Sequence, residues 1–214
     1  MKSLLSLLGI FTFLFSAVGQ DGSQKTLNEL SQKMESFGSI YAEFESSLFN
    51  KQADLKVDQK GKIYVKGDLF NLDLDEYQVI SGVDNIWTIS KSDGEIYIDA
   101  TADQEEEDMI KPSEIFTIWK TGFKSTLVKT EPINGKNLEY IKLFPIDPAS
   151  KSYHTILLNV VKETLEIKEM TLLGKNGDNY SYSIQKFTGN PKLPAGVFEL
   201  NVENFPDFDV IDNR

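Results

Sequence analysis

The sequence predicts a mainly β protein with a smaller helical part. Most of the chain after residue 40 alternates apolar and polar residues with a period of two, which is typical of antiparallel strands with one buried face. Asp-Gly and Asn-Gly dipeptides, which favour tight hairpin turns, recur between these stretches. Two segments with helical features interrupt the pattern. These observations predict about ten to twelve short strands and two helical segments.

The N-terminus has the composition of a secretory signal peptide. A single lysine precedes an apolar run from Leu4 to Val18, and Ala17-Val18-Gly19 supplies small residues at its end. A membrane anchor is the alternative, but about fifteen apolar residues are short for a span and no charged stop-transfer flank follows. We therefore expect residues 1–19 to be removed on export and residues 20–214 to form a single domain.

The composition argues against catalysis and against several classes of partner. The net charge of −11 disfavours binding to nucleic acid or to anionic lipid headgroups. The chain has no cysteine, so it has neither a disulfide nor a cysteine for lipid attachment. One histidine, His154, is too few for the usual zinc sites or for a Ser-His-Asp triad. We expect a protein that is not an enzyme and needs no cofactor.

The mature chain is predicted to open with an amphipathic helix. Thr26-Leu27-Asn28-Glu29 matches a capping box, which places the start of the helix at Thr26. Apolar residues then recur at intervals of three and four and form one stripe, and Gly38 ends it. The stripe consists of Leu27, Leu30, Met34 and Phe37. Whether this stripe contacts a permanent core or a removable ligand stays open at this stage.

Strands are predicted on both sides of an inserted helical segment. In the first half the alternating apolar residues begin with Ile40, Ala42, Phe44, Ile63, Val65, Phe70, Leu72 and Leu74 and continue through Tyr77–Val79, Ile86–Ile89 and Ile96–Ile98. In the second half the strands cover 125–129, 138–144, 153–161, 165–173 and 179–187, with a last extended stretch at 208–211.

The inserted segment lies between residues 102 and 122. An acidic run, Gln104–Asp108, is predicted to be a solvated loop, because it lacks the glycine and spacing of a calcium loop. Pro112 then opens a helix that carries Ile115, Phe116, Ile118 and Trp119, and Gly122 closes it.

A series of strands this long must curl or close to hide its apolar face. A barrel of about eight strands can fill its interior with side chains, whereas more strands leave room for a ligand. The two helical segments can cover such an opening and make a half-barrel with a lid. A solid sandwich with helices at its ends is the alternative, and the strand pattern does not separate the two.

Three strand segments follow one another in a distinctive order: Gly61-Lys62-Ile63-Tyr64-Val65-Lys66, then Leu69-Phe70-Asn71-Leu72, then Gln78-Val79-Ile80-Ser81-Gly82 before Ile86-Trp87. This order resembles the outer-membrane lipoprotein carrier protein family (LolA). The resemblance continues with the proline-led helix at 112, with Tyr140, Leu143 and Pro145, and with Phe198 ahead of Phe205-Pro206. It spans essentially all of residues 25–212, although each motif is short.

The resemblance implies an incomplete antiparallel β-barrel of about 10–12 strands covered by a helical lid, with an apolar cavity for acyl chains. It implies a monomeric periplasmic protein that acts as a chaperone and carrier for lipoproteins. Such carriers take triacylated lipoproteins from an inner-membrane ABC-type release complex and deliver them to an outer-membrane acceptor. On this reading the residues that contact the acyl chains are Leu30, Met34, Phe44, Ile63, Val65, Phe70, Leu72, Leu74, Trp87, Ile98, Ile115 and Trp119.

One departure from the family concerns the lid. The family's arginine after the Val-Lys pair of the second strand is missing, because Gly67-Asp68 follows Val65-Lys66. That arginine hydrogen-bonds to the lid in well-known members, so the lid here must close differently or not tightly. Two other hypotheses remain. One is a periplasmic sensor that binds lipoproteins on the same fold, and the other is a structural or enzymatic secreted β protein.

Overall fold

The computed structural model describes residues 18–101 and 110–214, and its twelve strands form one open sheet. The strand order is β12-β6-β5-β4-β3-β2-β1-β11-β10-β9-β8-β7, so β12 and β7 are the two ends and do not meet. The prediction of an incomplete, mainly antiparallel barrel is confirmed. The strands are β1 Ile40–Asn50, β2 Leu55–Lys66, β3 Leu69–Leu74, β4 Tyr77–Ser81, β5 Asn85–Ser90, β6 Glu95–Ala100, β7 Phe123–Ile133, β8 Lys136–Pro145, β9 Tyr153–Val161, β10 Glu166–Gly174, β11 Asp178–Gly189 and β12 Asp209–Asp212.

Tight turns join most neighbouring strands, as the dipeptides predicted. Asn134 and Gly135, between β7 and β8, both have positive φ values of 50° and 76°. Two such residues in succession are typical of the hairpin turns whose twist matches that of the flanking strands. The last strand differs from the others, because β12 pairs with β6 in parallel. The chain reaches β12 through an irregular segment after β11, not through a hairpin, which permits the parallel direction.

The N-terminal helix α1 spans Val18–Glu35 and therefore begins before Thr26. The predicted capping box is wrong, since Thr26 lies inside the helix and its side chain is used elsewhere. Its Oγ1 donates to Oε2 of Glu139 at 2.6 Å. Glu139 is 1% exposed, and Nζ of Lys162 also contacts its carboxylate at 2.8 Å. The carboxylate raises the pKa of Lys162. The buried hydrogen bond from Thr26 to this carboxylate ties α1 to the sheet.

The apolar stripe of α1 covers the end of the sheet formed by β7–β10. Leu30 is fully buried, and the strand residues in the same core cluster are equally closed to solvent. They include Ile141, Leu143, Ile156, Leu158 and Val160, each no more than 1% exposed. The region between α1 and strands β7–β10 is therefore a closely packed core.

A second apolar cluster lies on the other face of the sheet. It contains Ile80, Ile89, Ile96 and Ile98, with partly buried residues of the C-terminal segment packed against it. Those residues are Leu200, Val202, Phe205 and Phe208. Asn71 fixes the start of this segment, because its Nδ2 donates to the carbonyl of Val197 at 2.7 Å. The C-terminal segment thus covers this face of the sheet at β4–β6. On the other face Ser81 of β4 and Ile86 of β5 are also buried.

The segment predicted to be one helix from Pro112 consists of two 3₁₀ turns, Pro112–Glu114 and Ile118–Lys120. Its hydrogen bonds run from residue i to i−3: Thr117 donates to Glu114 and Lys120 donates to Thr117. Ile115, Thr117 and Ile118 are β-branched, and such residues weaken an α-helix. Gly122, with φ of +82°, ends the segment as predicted. We call residues 110–120 the cover segment.

Two predictions fall outside the described residues: most of the signal peptide, residues 1–17, and the acidic run Gln104–Asp108. In the described part of the chain, none of the helices combines the length and the apolar character that crossing a membrane requires.

The contact between Glu139 and α1 predicts a stability effect. Replacing Glu139→Ala leaves Thr26 without its acceptor under the helix, so we expect the free energy of unfolding to fall by about 1–2 kcal/mol. Urea denaturation followed by circular dichroism measures this change.

The matched control for this substitution is Glu131→Ala. Glu131 is also a strand glutamate, but its partner Lys129 forms a surface ion pair with it at 2.7 Å. Such pairs contribute little, so the control should change stability by less than about 0.5 kcal/mol. Equal losses in the two variants would contradict the role assigned to Glu139.

Candidate functional site

A cavity of about 490 Å³ lies between the concave face of the sheet and the cover segment. Its volume is within the usual range for small-molecule sites. Strands β1, β2, β3, β10 and β11 form the floor. The roof residues are Ile110, Pro112, Ile115, Phe116 and Trp119, and the floor residues include Phe44, Leu48, Val57, Ile63, Leu72, Leu74, Ile167, Met170, Leu172, Tyr182 and Ile184.

The lining of the cavity carries no formal charge. None of the described residues that line it is Asp, Glu, Lys, Arg or His, although charged residues make up 26% of the chain. Burial raises the pKa of Tyr182, so this phenol stays neutral. The remaining polar lining consists of hydroxyl and amide side chains such as Ser46, Gln59 and Asn176. A lining of this kind favours hydrocarbon over water or ions.

The register of the strands explains why these apolar residues share one face. Ala42 is opposite Ile63, and Ile63 is opposite Leu72, so the three side chains point to the same side of the sheet. In the next row of the same face, Phe44 is opposite Gly61, and Gly61 is opposite Leu74. Gly61 leaves room there for the Phe44 ring, because a Cβ at this position would lie 2.7 Å from Leu74 Cδ2 and closer still to Phe44.

The cavity opens at the outer ends of β1, β2 and β11. Leu48 is opposite both Val57 and Tyr180, and all three residues line the cavity. Val57 is 45% exposed and Tyr180 is 40% exposed, so apolar surface continues from the interior to the solvent. We call this row of Leu48, Val57 and Tyr180 the cavity mouth.

The two parts of the lid are held in different ways. The helix α1 is fixed by buried contacts, including Ser23 Oγ to Ser125 Oγ at 2.9 Å and Lys33 Nζ to the carbonyl of Thr164 at 2.6 Å. The cover segment is attached to α1 through side chains at its C-terminal end. Trp119 Nε1 donates to Ser31 Oγ at 3.2 Å, and Lys120 forms an ion pair with Glu35. These contacts hold the lid in a chain that lacks the family arginine.

The structure brings half of the predicted ligand-contact residues together around the cavity. They are Phe44, Ile63, Leu72, Leu74, Ile115 and Trp119. Their contact with a ligand stays a prediction. Leu30, Met34, Val65 and Phe70 belong to the same apolar cluster but lie beyond the cavity lining. Trp87 and Ile98 pack in the second cluster on the opposite face, so we leave them out of the proposed site.

Sequence reasoning missed several lining residues for two reasons. Met170, Tyr182 and Ile184 lie on strands that were predicted, and their alternation was a usable signal. Leu48 stands between Ser47 and Phe49, and Val57 stands between Lys56 and Asp58. Near these strand ends the alternation is too short or too irregular to identify a face. Only the pairing of β1 with β2 places these two residues on the cavity side.

The described residues also contain no group of three or more His, Cys, Asp or Glu side chains that could hold a metal ion. The cavity formed by the described residues offers shape and apolar surface.

The fold has relatives of known structure with very different sequences. An uncharacterized conserved protein from Thermus thermophilus is 8% identical over 90% of this chain and 99% of that chain, with a TM-score of 0.51. The lipoprotein LppX from Mycobacterium tuberculosis is 12% identical over 81% and 98%, with a TM-score of 0.50. A LolA superfamily protein from Nitrosomonas europaea is 12% identical over 86% and 99%, with a TM-score of 0.42.

The fold is LolA-like. At these identities the similarity shows the fold alone, and the resemblance predicted from the strand motifs is confirmed at that level. No protein-family model matches the chain, and no curated protein sequence matches it.

The close packing at Gly61 gives a prediction for this cavity. In Gly61→Ala the added methyl group must displace Phe44 or Leu74, so we expect a loss of about 1–3 kcal/mol in stability. Thermal unfolding followed by circular dichroism measures it. Gly38→Ala is the control, because its Cβ would lie 3.6 Å from the nearest atom, Asn190 Oδ1. A control variant as unstable as Gly61→Ala would show that strain at Phe44 is not the cause.

Proposed function

We propose that this protein binds the acyl chains of lipoproteins in its cavity and carries them through the periplasm. The observation that supports the proposal most directly is a cavity of about 490 Å³ whose described lining has no charged side chain. Hydrocarbon that is exposed to water gains free energy in such a site, and no group in the lining would need to be desolvated as an ion.

The energetics suit a carrier. Each methylene that leaves water contributes about 0.8 kcal/mol, so ten methylenes contribute about 8 kcal/mol. That free energy corresponds to a dissociation constant of about 1 µM. A carrier needs binding of this order, strong enough to hold a lipid that water rejects and weak enough to permit transfer. The partly exposed mouth keeps some of the ligand's contacts accessible to an acceptor.

The cellular role in the proposal rests on the sequence. The signal-peptide pattern and the order of the strand motifs support an exported, periplasmic protein. Its partners would be triacylated lipoproteins, an inner-membrane ABC-type release complex and an outer-membrane acceptor. The protein would act as a monomer, without catalysis and without a cofactor.

The substitution Leu72→Glu tests acyl binding. Leu72 is half-buried and faces the cavity, so a carboxylate there would place a charge where the hydrocarbon lies. We expect the affinity for palmitic acid to fall by at least about tenfold, because burying an unpaired charge costs several kcal/mol. Displacement of a fluorescent fatty acid measures the affinity.

Val128→Glu is the control for this test, since Val128 is a strand residue that is 51% exposed and lies outside the cavity lining. It should bind palmitic acid as the unmodified protein does. Circular dichroism must show that both variants are folded. Normal binding by a folded Leu72→Glu variant would refute the proposed site.

Affinity capture from cells that produce the mature chain tests the carrier role. We expect lipoproteins and an inner-membrane release complex among the captured proteins. Capture of lipoproteins together with a membrane-spanning signalling protein, and without a release complex, would favour the sensor hypothesis instead.

A further inference from the structure

The β1–β2 hairpin extends past β3, which leaves part of β2 unpaired on one side. β1 pairs with residues 55–65 of β2, whereas β3 pairs only with residues 61–66. Residues 55–60 therefore form a strand edge that no other strand in the described chain covers. We call these six residues the β2 edge. All except the half-buried Gln59 are exposed.

The hydrogen bonds show which backbone groups of the β2 edge face outward. The N–H of Lys60 donates to Oδ2 of Asp75, a residue just beyond β3, at 3.0 Å, so it points away from β1. The carbonyl of Gln59 faces β1 instead, where Ser46 Oγ lies 3.4 Å from it. Outward and inward groups alternate along a strand, so Lys56 and Asp58 also direct their N–H and C=O groups outward.

The β2 edge borders the opening of the cavity. Val57 and Gln59, which alternate with Lys56 and Asp58, line the cavity. Val57 is also part of the cavity mouth, where it is opposite Leu48. A molecule that leaves the cavity over Val57 therefore passes directly beside the free backbone groups of Lys56 and Asp58.

We propose that the β2 edge binds the polypeptide to which the acyl chain is attached, as an added antiparallel or parallel strand. This inference rests on the proposed function, because the acyl chain in the cavity continues into a polypeptide at the mouth. Main-chain hydrogen bonds hold an added strand largely independently of its sequence. A carrier with this edge can hold cargoes whose sequences differ.

The net charge of the whole chain favours a polypeptide over an anionic bilayer as the partner of the β2 edge. The chain has a net charge of −11, which opposes approach to an anionic membrane. The side chains of Lys56, Asp58 and Lys60 are exposed along the edge. Charged residues at such positions hinder the pairing of two identical edges, so the edge stays free for its cargo.

The experiment compares three probes: palmitic acid, a synthetic decapeptide with a palmitoyl group on its first residue, and the same decapeptide without the palmitoyl group. The variant is Asp58→Pro, which removes one outward N–H at a position where an edge strand tolerates proline. We expect the affinity for the palmitoylated peptide to fall about tenfold and the affinity for palmitic acid to stay unchanged.

Asp58→Ala is the matched control. It keeps the backbone N–H but loses the ion pair of Asp58 with Lys56, which spans 2.7 Å. It should bind all three probes within about twofold of the unmodified protein. A loss in Asp58→Ala equal to that in Asp58→Pro would overturn the proposal, because the side chain and not the backbone would then be responsible.

Amide hydrogen exchange provides a direct readout on the unmodified protein. The palmitoylated peptide should slow exchange at Lys56 and Asp58, and palmitic acid should not. Unchanged exchange with the peptide, or protection by vesicles of phosphatidylethanolamine and phosphatidylglycerol in its place, would overturn the proposal. The two proposals are tested by different measurements. Failure of palmitic acid to bind would refute the acyl-binding function, whereas pairing at the β2 edge is tested by the effect of the palmitoylated peptide on amide exchange.

Discussion

The structure depends on how the concave apolar face of a very wide sheet is covered. Strands lie about 4.8 Å apart and a helix is about 10 Å wide, so one helix covers only a few of the twelve strands. Here α1 covers the end formed by β7–β10, and its stripe is buried there with residues such as Leu158. The floor around Ile63 and Leu72 lies beyond its reach. The cover segment closes that part only partly, and the cavity is the space that remains.

This division gives the two halves of the lid different properties. The helix is held by a buried carboxylate, by a buried pair of serines and by a fully closed apolar interface, so its displacement would expose a large part of the core. The cover segment contains only short 3₁₀ turns, and its links to α1 include the Trp119–Ser31 hydrogen bond and a surface ion pair. Local opening requires least free energy where buried contacts are few. The buried side chains of Phe116 and Trp119 therefore account for most of the free energy that opening the cover segment would require.

The strand series was predictable, and so was the apolar character of the face that forms the cavity floor. Alternation identified all twelve strands because β-branched and aromatic residues keep their period of two wherever one face is buried. The same alternation placed Trp87 and Ile98 with the floor residues, although both pack under the C-terminal segment on the opposite face. On β4 and β5 residues of both faces are buried, for example Ile80 and Ser81, and local periodicity then cannot tell one face from the other.

The sequence by itself determined the class of fold, its open series of about twelve strands and the presence of helical segments that cover it, because these follow from local periodicity and turn chemistry. Tertiary structure decided where the helix begins, what Thr26 binds, and which apolar residues border empty space. Those outcomes depend on contacts between residues far apart in the chain, such as Thr26 with Glu139 and Leu48 with Tyr180. A cavity forms where two surfaces do not pack against each other. The residues of those surfaces come from separate segments of the sequence, so no single segment predicts the cavity.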